Sequence, residues 1–82
     1  MSKYTKEQIY EKLEIIFRDL FDDDDITLSA STTADDIEDW DSLEHINMIS
    51  AVESEFSMKF AMKEVSTMKN VGEMVDIIIS RT

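Results

Sequence analysis

Three adjacent residues, Asp41, Ser42 and Leu43, lie where an acidic, polar stretch changes into a helical pattern of apolar residues. Asp41 is a preferred N-cap residue and Glu44 follows three positions later, so the pair predicts an acidic capping box for the first free N–H groups of a helix. Ser42 then lies in the first turn with its hydroxyl in solvent. A phosphate on that oxygen would be stabilised by the helix dipole by about 0.3–1 kcal/mol. The stretch is therefore suited to carrying a phosphoester.

Two other interpretations use the same residues. Ser42 is also compatible with an ordinary cap-region serine that has only a structural role. His45, the only histidine, lies three positions after Ser42 and could imitate a nucleophile–base pair, but the sequence indicates no oxyanion hole and no third orienting group. Hydrolase activity is therefore not expected, and His45 is predicted to be an exposed residue of the helix.

The periodicity of apolar residues predicts four helices around a small core. The first covers residues 6–20 behind a capping box at Thr5 and Gln8. Its inward face is formed by residues at helical spacing: Ile9, Leu13, Ile16, Phe17 and Leu20. The second covers residues 42–56, and its predicted inward residues are Leu43, Ile46, Ile49 and either Val52 or Phe56.

A short third helix and a last helix are predicted in the final part of the chain. The third covers residues 61–68 and presents Val65 and Met68 inward. The last begins after an Asn70 cap with Glu73 in the capping-box position. Its predicted inward residues are Val71, Met74, Val75 and Ile78.

The segment between the first two helices is predicted to be irregular. Residues 22–25 are four aspartates, which end the first helix because they compete with its backbone and oppose its dipole. They lack the central glycine of an EF-hand loop, so a solvated turn is predicted rather than a calcium site. Residues 26–40 form a long loop anchored by Ile26, Leu28 and Ile37. Trp40, directly before the N-cap, is predicted to act as a staple that fixes the start of the second helix.

From Ser42 onward the sequence resembles the acyl carrier protein family, whose Asp-Ser-Leu motif opens the second helix. The resemblance covers nearly the whole chain. It includes a Glu-x-Glu-Phe sequence at the end of the second helix and a Val directly after the cap of the last helix. The matching positions are Ile46, Met48, Ile49, Val52, Glu53, Glu55, Phe56, Phe60, Val65, Met68, Asn70 and Val71. Upstream, where many members have Leu-Gly-x-Asp-Ser, this chain has Ile37-Glu-Asp-Trp-Asp-Ser. The Trp-Asp-Ser-Leu form looks like that of a subgroup of free-standing carriers.

The resemblance implies an all-α fold: a small four-helix bundle of acyl-carrier type with a long first loop and a short third helix. It also implies that a phosphopantetheinyl transferase recognises Asp41 and attaches 4′-phosphopantetheine from coenzyme A to Ser42. The chain would then carry acyl intermediates as thioesters, as in fatty acid or polyketide biosynthesis, without catalysis of its own. A carrier of aminoacyl, D-alanyl or peptidyl groups stays open, as does an unmodified acidic helical module that binds a basic partner.

The composition is strongly acidic, with 19 acidic and 8 basic residues and a formal net charge of −11. Such a charge argues against nucleic-acid binding, because phosphates would be repelled. It is compatible either with plain solubility or with partner enzymes that have basic docking patches. The docking surface is predicted to surround the serine, and its residues are Asp39, Leu43, Glu44, Glu53 and Glu55, with Asp36, Glu38 and Asp41 adding charge.

The remaining expectations concern the size and location of the protein. A chain of 82 residues predicts one domain, residues 1–82, with a small core. The chain has no cysteine, so any thiol chemistry must come from a prosthetic group. Its most apolar run, residues 74–79, is interrupted by Asp76 and is too short to cross a bilayer, and no secretory signal pattern is present. A monomer in the cytoplasm, without membrane insertion, is expected.

Overall fold

The structure is a computed structural model that describes residues 3–37 and 39–82. Its α-helices are α1 (Lys6–Phe21), α2 (Ser42–Phe56), α3 (Met62–Thr67) and α4 (Val71–Arg81). A 3-10 turn (Ala34–Asp36) lies within the connection between α1 and α2, which was predicted from the sequence to be irregular throughout. No strand occurs in the described ranges. The predicted all-α bundle, with a long first connection and a short third helix, is confirmed.

The ends of α1 follow from its sequence. Thr5 Oγ1 accepts a hydrogen bond from the N–H of Gln8 at 3.2 Å, and Gln8 Oε1 accepts one from the N–H of Thr5 at 2.9 Å, which completes the predicted capping box. The helix ends at Asp22, whose φ of 51° places it in the left-handed region and whose N–H donates to the carbonyl of Arg18. The aspartate run therefore terminates α1, one residue later than predicted.

The core lies where α1 packs against both α2 and α4. Ile9, Leu13 and Phe17 of α1 are fully buried, as their spacing predicts, and Ile16 and Leu20 are partly buried beside them. All four predicted residues of α4 are buried: Val71, Met74, Val75 and Ile78. Burial of each such side chain stabilises the fold by about 1.5–3 kcal/mol relative to exposure. Apart from the exposed Ile15, the opposite faces of α1 and α4 are mainly polar and charged, which is why the spacing identified the inward residues.

The inward face of α2 differs in part from the prediction. Ile49, Val52 and Phe56 are buried as expected, but Leu43 is 68% exposed and Ile46 is 59% exposed. Met48 is fully buried instead. The prediction of Leu43 and Ile46 as core residues was wrong, because α2 has apolar residues on more than one face. Residue type alone then does not identify the face that meets α1.

The connection between α1 and α2 is attached to the beginning of α4. The N–H of Val71 donates to the carbonyl of Thr32 at 2.9 Å, and the N–H of Gly72 donates to the carbonyl of Ala30 at 3.0 Å. Two of the free N–H groups at the start of α4 therefore have partners in the loop. A Cβ atom at position 72 would lie 2.9 Å from the carbonyl oxygen of Ala30. This close approach of two backbone segments explains the single glycine of the chain.

Helix α3 is attached to the bundle by polar contacts near its start and by two apolar side chains further along. At its start, Glu64 Oε1 accepts the N–H of Ala61 at 2.7 Å, and both carboxylate oxygens of Glu64 accept hydrogen bonds from Arg81 near the end of α4. Arg81 also donates to the carbonyl of Lys59 at 2.9 Å. Val65 and Met68 are partly buried against the core, as predicted. The observed helix is one residue shorter at each end than predicted.

The start of α4 is capped by Asn70, whose Oδ1 accepts the N–H of Glu73 at 2.9 Å. The reciprocal bond of a capping box is not formed, because Glu73 accepts from the N–H of Lys69 instead. The predicted cap is therefore present without the complete box.

None of the helices within residues 3–37 and 39–82 has the length and apolar character needed to cross a bilayer.

Candidate functional site

Ser42 is the first residue of α2, as its position after Asp41 predicts. Asp41 has an extended backbone, and its Oδ1 accepts the N–H of Glu44 at 2.9 Å. The carbonyl of Asp41 accepts the N–H of His45, the first intrahelical bond, also at 2.9 Å. The local structure at the helix start is thus supplied by Asp41. Ser42 is exposed, and its hydroxyl is not required for the cap.

Half of the predicted acidic capping box is formed. Glu44 does not return a bond to the N–H of Asp41; its Oε1 accepts instead from the amide of Asn47 at 3.2 Å. The N–H of Asp41 donates to the carbonyl of Asp39 at 3.0 Å. Asp39 has a φ of 73°, in the left-handed region that aspartate tolerates better than most residues. A tight turn from Asp39 to Asp41 therefore replaces the second half of the box.

Trp40 fixes the entry of the chain into α2 through His45, with which it forms a staple across the cap. The two rings stack with centroids 5.8 Å apart, and the indole N–H of Trp40 donates to Nδ1 of His45 at 3.1 Å. On its other side the indole meets the ring of Phe17 edge-on at 5.2 Å and lies 6.3 Å from that of Phe21. The staple predicted for Trp40 is therefore present.

His45 is half-buried, so its prediction as an exposed residue was wrong. Because an indole N–H only donates, Nδ1 of His45 must accept, and in the neutral ring Nε2 then carries the proton. Nε2 lies 3.1 Å from the carbonyl oxygen of Val65 in α3 and donates to it. We call this set of contacts the Trp40–His45–Val65 bridge. Both ring nitrogens are occupied, so His45 is not positioned to act as a general base for Ser42.

A groove of about 740 Å³ opens beside Ser42, between the start of α2, α3 and the preceding loop. The apolar part of its wall is formed by side chains of all three segments: Trp40, Ile46, Met62, Val65 and Met68. Ser66, Lys69 and Asn70 add polar groups at its edge. Ile46 is thus exposed because it faces this groove. A group attached to Ser42 has an apolar surface directly next to it.

The groove and the bridge were missed at the level of sequence. A staple joins the residue before the N-cap to the fourth residue of the helix. Trp40 and His45 occupy these two positions, so their pairing was predictable from the sequence. The contact with Val65 spans twenty positions along the chain and has no local signal. The contact depends on where α3 packs against α2, which the local sequence does not indicate.

The predicted docking residues fall into two groups. Asp39, Leu43 and Glu44 lie close to Ser42 along the chain, and Leu43 is well exposed. Glu53 and Glu55 lie about 16–20 Å further along α2, given a rise of 1.5 Å per residue. Glu53 accepts the N–H of Phe60 at 2.8 Å, and Glu55 pairs with Lys12 at 3.3 Å. The prediction that these two acids surround Ser42 is therefore wrong.

The acidic residues after α1 show no sign of a metal site. Asp25 donates its N–H to Oδ1 of Asp23 at 3.0 Å, which closes a local turn. Within the ranges that the structure describes, no group of three or more histidine, aspartate or glutamate side chains is placed to hold a metal ion. Glu38, one of the charges predicted near Ser42, lies outside the described residues.

A capped helix that begins with an exposed serine beside an apolar groove, in a bundle of four helices, is the arrangement that the resemblance to acyl carrier proteins implies. The chain is 38% identical over 76 residues to the acyl carrier protein of Petrotoga mobilis (strain DSM 10674 / SJ95), covering 90% of this chain and 87% of the relative. The chain therefore belongs to the acyl carrier protein family. As such it is a carrier of acyl groups, and its prosthetic group is 4′-phosphopantetheine.

A solved structure leads to the same family. The solution structure of a holo acyl carrier protein from Geobacter metallireducens is similar to this chain with a TM-score of 0.82 and 43% identity. The similarity covers 88% of this chain and 83% of that one. No family model matches the chain.

Proposed function

We propose that Ser42 Oγ is the attachment point of 4′-phosphopantetheine and that residues 1–82 form a single carrier domain without catalysis of its own. The observation that carries the proposal is the exposed Ser42 in the first turn of α2, next to the groove, in a member of the acyl carrier protein family. When bound, the group supplies a terminal thiol that holds the acyl cargo as a thioester. This accounts for thiol chemistry in a chain without cysteine.

The surroundings of Ser42 suit this group. An anionic diester at the start of α2 gains about 0.3–1 kcal/mol from the helix dipole. The carboxylates of Asp39 and Asp41 oppose it, but two charges 4 Å apart in water interact by only about 1 kcal/mol, and all three residues are exposed. Even with both carboxylates that close, the repulsion would exceed the gain from the dipole by less than about 2 kcal/mol, so the charge of the diester is tolerated. The apolar wall of the groove offers a surface to the arm beyond it.

The transfer itself requires a partner enzyme. The bond that forms joins Ser42 Oγ to phosphorus, and the bond that breaks is the pyrophosphate linkage of coenzyme A, with adenosine bisphosphate leaving and the hydroxyl proton passing to the transferase. We propose that this transferase recognises Asp41. We propose that acyl-activating and acyl-transferring enzymes with basic patches dock on Asp39, Leu43 and Glu44 and, further along α2, on Glu53 and Glu55. We propose further that the carrier acts as a monomer in the cytoplasm, where coenzyme A is at hand.

The test is intact mass after incubation with a phosphopantetheinyl transferase, coenzyme A and Mg²⁺. The native protein should gain one phosphopantetheine increment, and the Ser42→Ala protein none. Folding of Ser42→Ala should change by less than about 0.5 kcal/mol, because Asp41 supplies the cap. Ser50→Ala, at an exposed position further along α2, is the matched control and should be modified normally. An increment on Ser42→Ala, or one mapped to Ser31 or Ser50 of the native protein, would refute the assignment.

A further inference from the structure

The Trp40–His45–Val65 bridge stands between the groove and the hydrophobic core. Trp40 and His45 both line the groove. Behind them the indole packs edge-on against Phe17, which is fully buried. The hydrogen bond from His45 Nε2 to the carbonyl of Val65 ties α2 to α3 at the same level. A chain that extended from the groove into the bundle at this point would have to pass the bridge.

We propose that the bridge is a length gate for the cargo of this carrier, with His45 as the residue that determines specificity. The inference rests on the proposed function of Ser42. Short acyl groups lie in the outer groove with the bridge intact. A long chain either stays in solvent or separates His45 from Val65, which leaves the carbonyl of Val65 without its partner.

The packing behind the bridge supports a gate rather than an open passage. Phe17, against which the indole of Trp40 packs, is fully buried, so a chain that passes the bridge must also displace a well-packed core side chain. On the groove side, by contrast, Ile46 is 59% exposed and Met62 is 87% exposed. Covering these two side chains with a short acyl group requires no rearrangement of the core. The structure therefore favours cargo that ends within the groove.

A purely structural role for His45 makes a different prediction. If His45 only stabilised the fold, its removal would affect every acylated form to the same extent. A gate predicts an interaction between the variant and the length of the cargo. The protection of long chains relative to short ones therefore tests the proposal, independently of overall stability.

The experiment uses the full chain loaded from acetyl-, butyryl-, octanoyl- and hexadecanoyl-coenzyme A by a phosphopantetheinyl transferase. Intact mass first establishes that each form is loaded. The rate of thioester cleavage by hydroxylamine then measures protection, and thermal melts measure stability. In the native protein, butyryl should be more protected than hexadecanoyl. In His45→Ala the protection of hexadecanoyl should rise by about two- to tenfold, the range that follows from losing one hydrogen bond.

Three further variants make the result specific. His45→Gln retains an N–H donor that can reach toward Val65 and should keep the native order of protection. Trp40→Phe keeps an aromatic ring against Phe17 but removes the indole N–H, so it weakens the bridge if His45→Ala does not fold. Met62→Ala changes the outer wall of the groove without touching the bridge. It should lower the protection of butyryl and should not raise that of hexadecanoyl.

Different results would overturn different claims. If the native protein gains no pantetheine mass, the assignment of Ser42 fails, and the gate fails with it. If loading is normal but the ratio of long-chain to short-chain protection is the same in the native protein, His45→Ala and Trp40→Phe, the gate alone is refuted. The gate is also refuted if the native protein protects hexadecanoyl as well as butyryl.

Discussion

At the scale of single residues, Asp41 and Ser42 divide two tasks between them. Asp41 Oδ1 holds the N–H of Glu44, so the helix start does not depend on the Ser42 hydroxyl. Asparagine caps helices about as well as aspartate, whereas alanine costs about 0.5–2 kcal/mol. The two substitutions at Asp41 can therefore separate folding from recognition.

We expect Asp41→Asn to keep the native stability while it slows the modification of Ser42, because it removes only the charge. Asp41→Ala should lower the free energy of unfolding by about 0.5–2 kcal/mol as well. Urea titration measures the first quantity, and the time course of mass gain measures the second. Native modification rates in Asp41→Asn would show that the transferase does not use the carboxylate.

Gly72 is a residue at which two effects oppose each other. Alanine is the better helix former by about 0.8–1 kcal/mol, so propensity predicts that Gly72→Ala stabilises α4. Its Cβ would lie 2.9 Å from the backbone oxygen of Ala30 and 3.0 Å from the Ala30 side chain. Relieving that contact requires the loop to move, and overpacking of this kind costs about 1–3 kcal/mol.

We therefore expect Gly72→Ala to destabilise the protein by about 1 kcal/mol or more, with weakened protection of the Gly72 amide against hydrogen exchange, since that N–H donates to Ala30. Chemical unfolding and amide exchange provide the two measurements. Ser54→Ala, at an exposed position within α2, is the control and should be neutral or slightly stabilising. A stabilising effect of Gly72→Ala would show that the loop yields freely.

At the scale of elements, α3 depends on polar attachments more than the other helices do. It has six residues and no fully buried side chain, and Met62 at its start is 87% exposed. Arg81 of α4 and the N–H of Ala61 both bind the carboxylate of Glu64. The hydrogen bond from Arg81 is the main cause that lowers the pKa of Glu64, and the bond from Ala61 adds to it.

The lowered pKa of Glu64 makes this attachment dependent on pH. A carboxyl group with a lower pKa in the folded state contributes stability above its unfolded pKa, near 4.3, and loses that contribution as the pH falls through the folded value. We expect Glu64→Gln to be less stable than the native protein above about pH 5 and the two stability curves to converge below about pH 4. Unfolding by urea across pH 3–7 measures both curves.

The control for this prediction must remove a negative charge without removing an attachment. Glu11→Gln does so at an exposed position of α1 and relieves the same general repulsion. It should not reproduce the loss of stability above about pH 5. If Glu64→Gln and Glu11→Gln behave alike across the whole range, the Arg81 attachment does not stabilise α3.

The elements also show what the sequence could predict. The start of α1, both boundaries of α2 and the inward residues of α1 and α4 followed from caps and from the spacing of apolar residues. Leu43 and Ile46 were misplaced because α2 is apolar on two faces, one toward the core and one toward the groove. His45 was misplaced because its partner Val65 comes from a helix with few constraints in sequence. The local sequence pattern identified Ser42, whereas the residues that line the groove beside it became apparent only from the tertiary packing.

At the scale of the whole molecule, the net charge of −11 attracts any basic partner, whereas docking beside Ser42 requires negative charge close to that residue. Screening limits the reach of an exposed charge to about 8–10 Å at physiological salt. Glu44 lies two positions from Ser42, whereas Glu55 lies about 20 Å away along α2 and is paired with Lys12. The two acids therefore separate local steering from total charge.

We expect Glu44→Lys to slow the modification of Ser42, mainly through the association step and more at low salt than at high salt. Electrostatic steering accelerates association by about 10- to 1,000-fold and is screened by salt, while contacts that control dissociation are less affected. Glu55→Lys makes the same change in total charge and should have a much smaller effect near physiological salt. Rates of mass gain against ionic strength measure both variants.

The interpretation of Glu44→Lys depends on a folded protein, because a cation in the first turn of α2 opposes the helix dipole by about 0.3–1 kcal/mol. Circular dichroism must therefore show native helix content, and Glu44→Gln, which removes the charge without reversing it, should fall between the native protein and Glu44→Lys. If the association is steered by charge, the modification rates of the three proteins should follow this order at low salt and become similar at high salt. Equal slowing by Glu44→Lys and Glu55→Lys would assign the effect to total charge, and a native rate for folded Glu44→Lys at low salt would exclude the start of α2 as the surface that the transferase meets first.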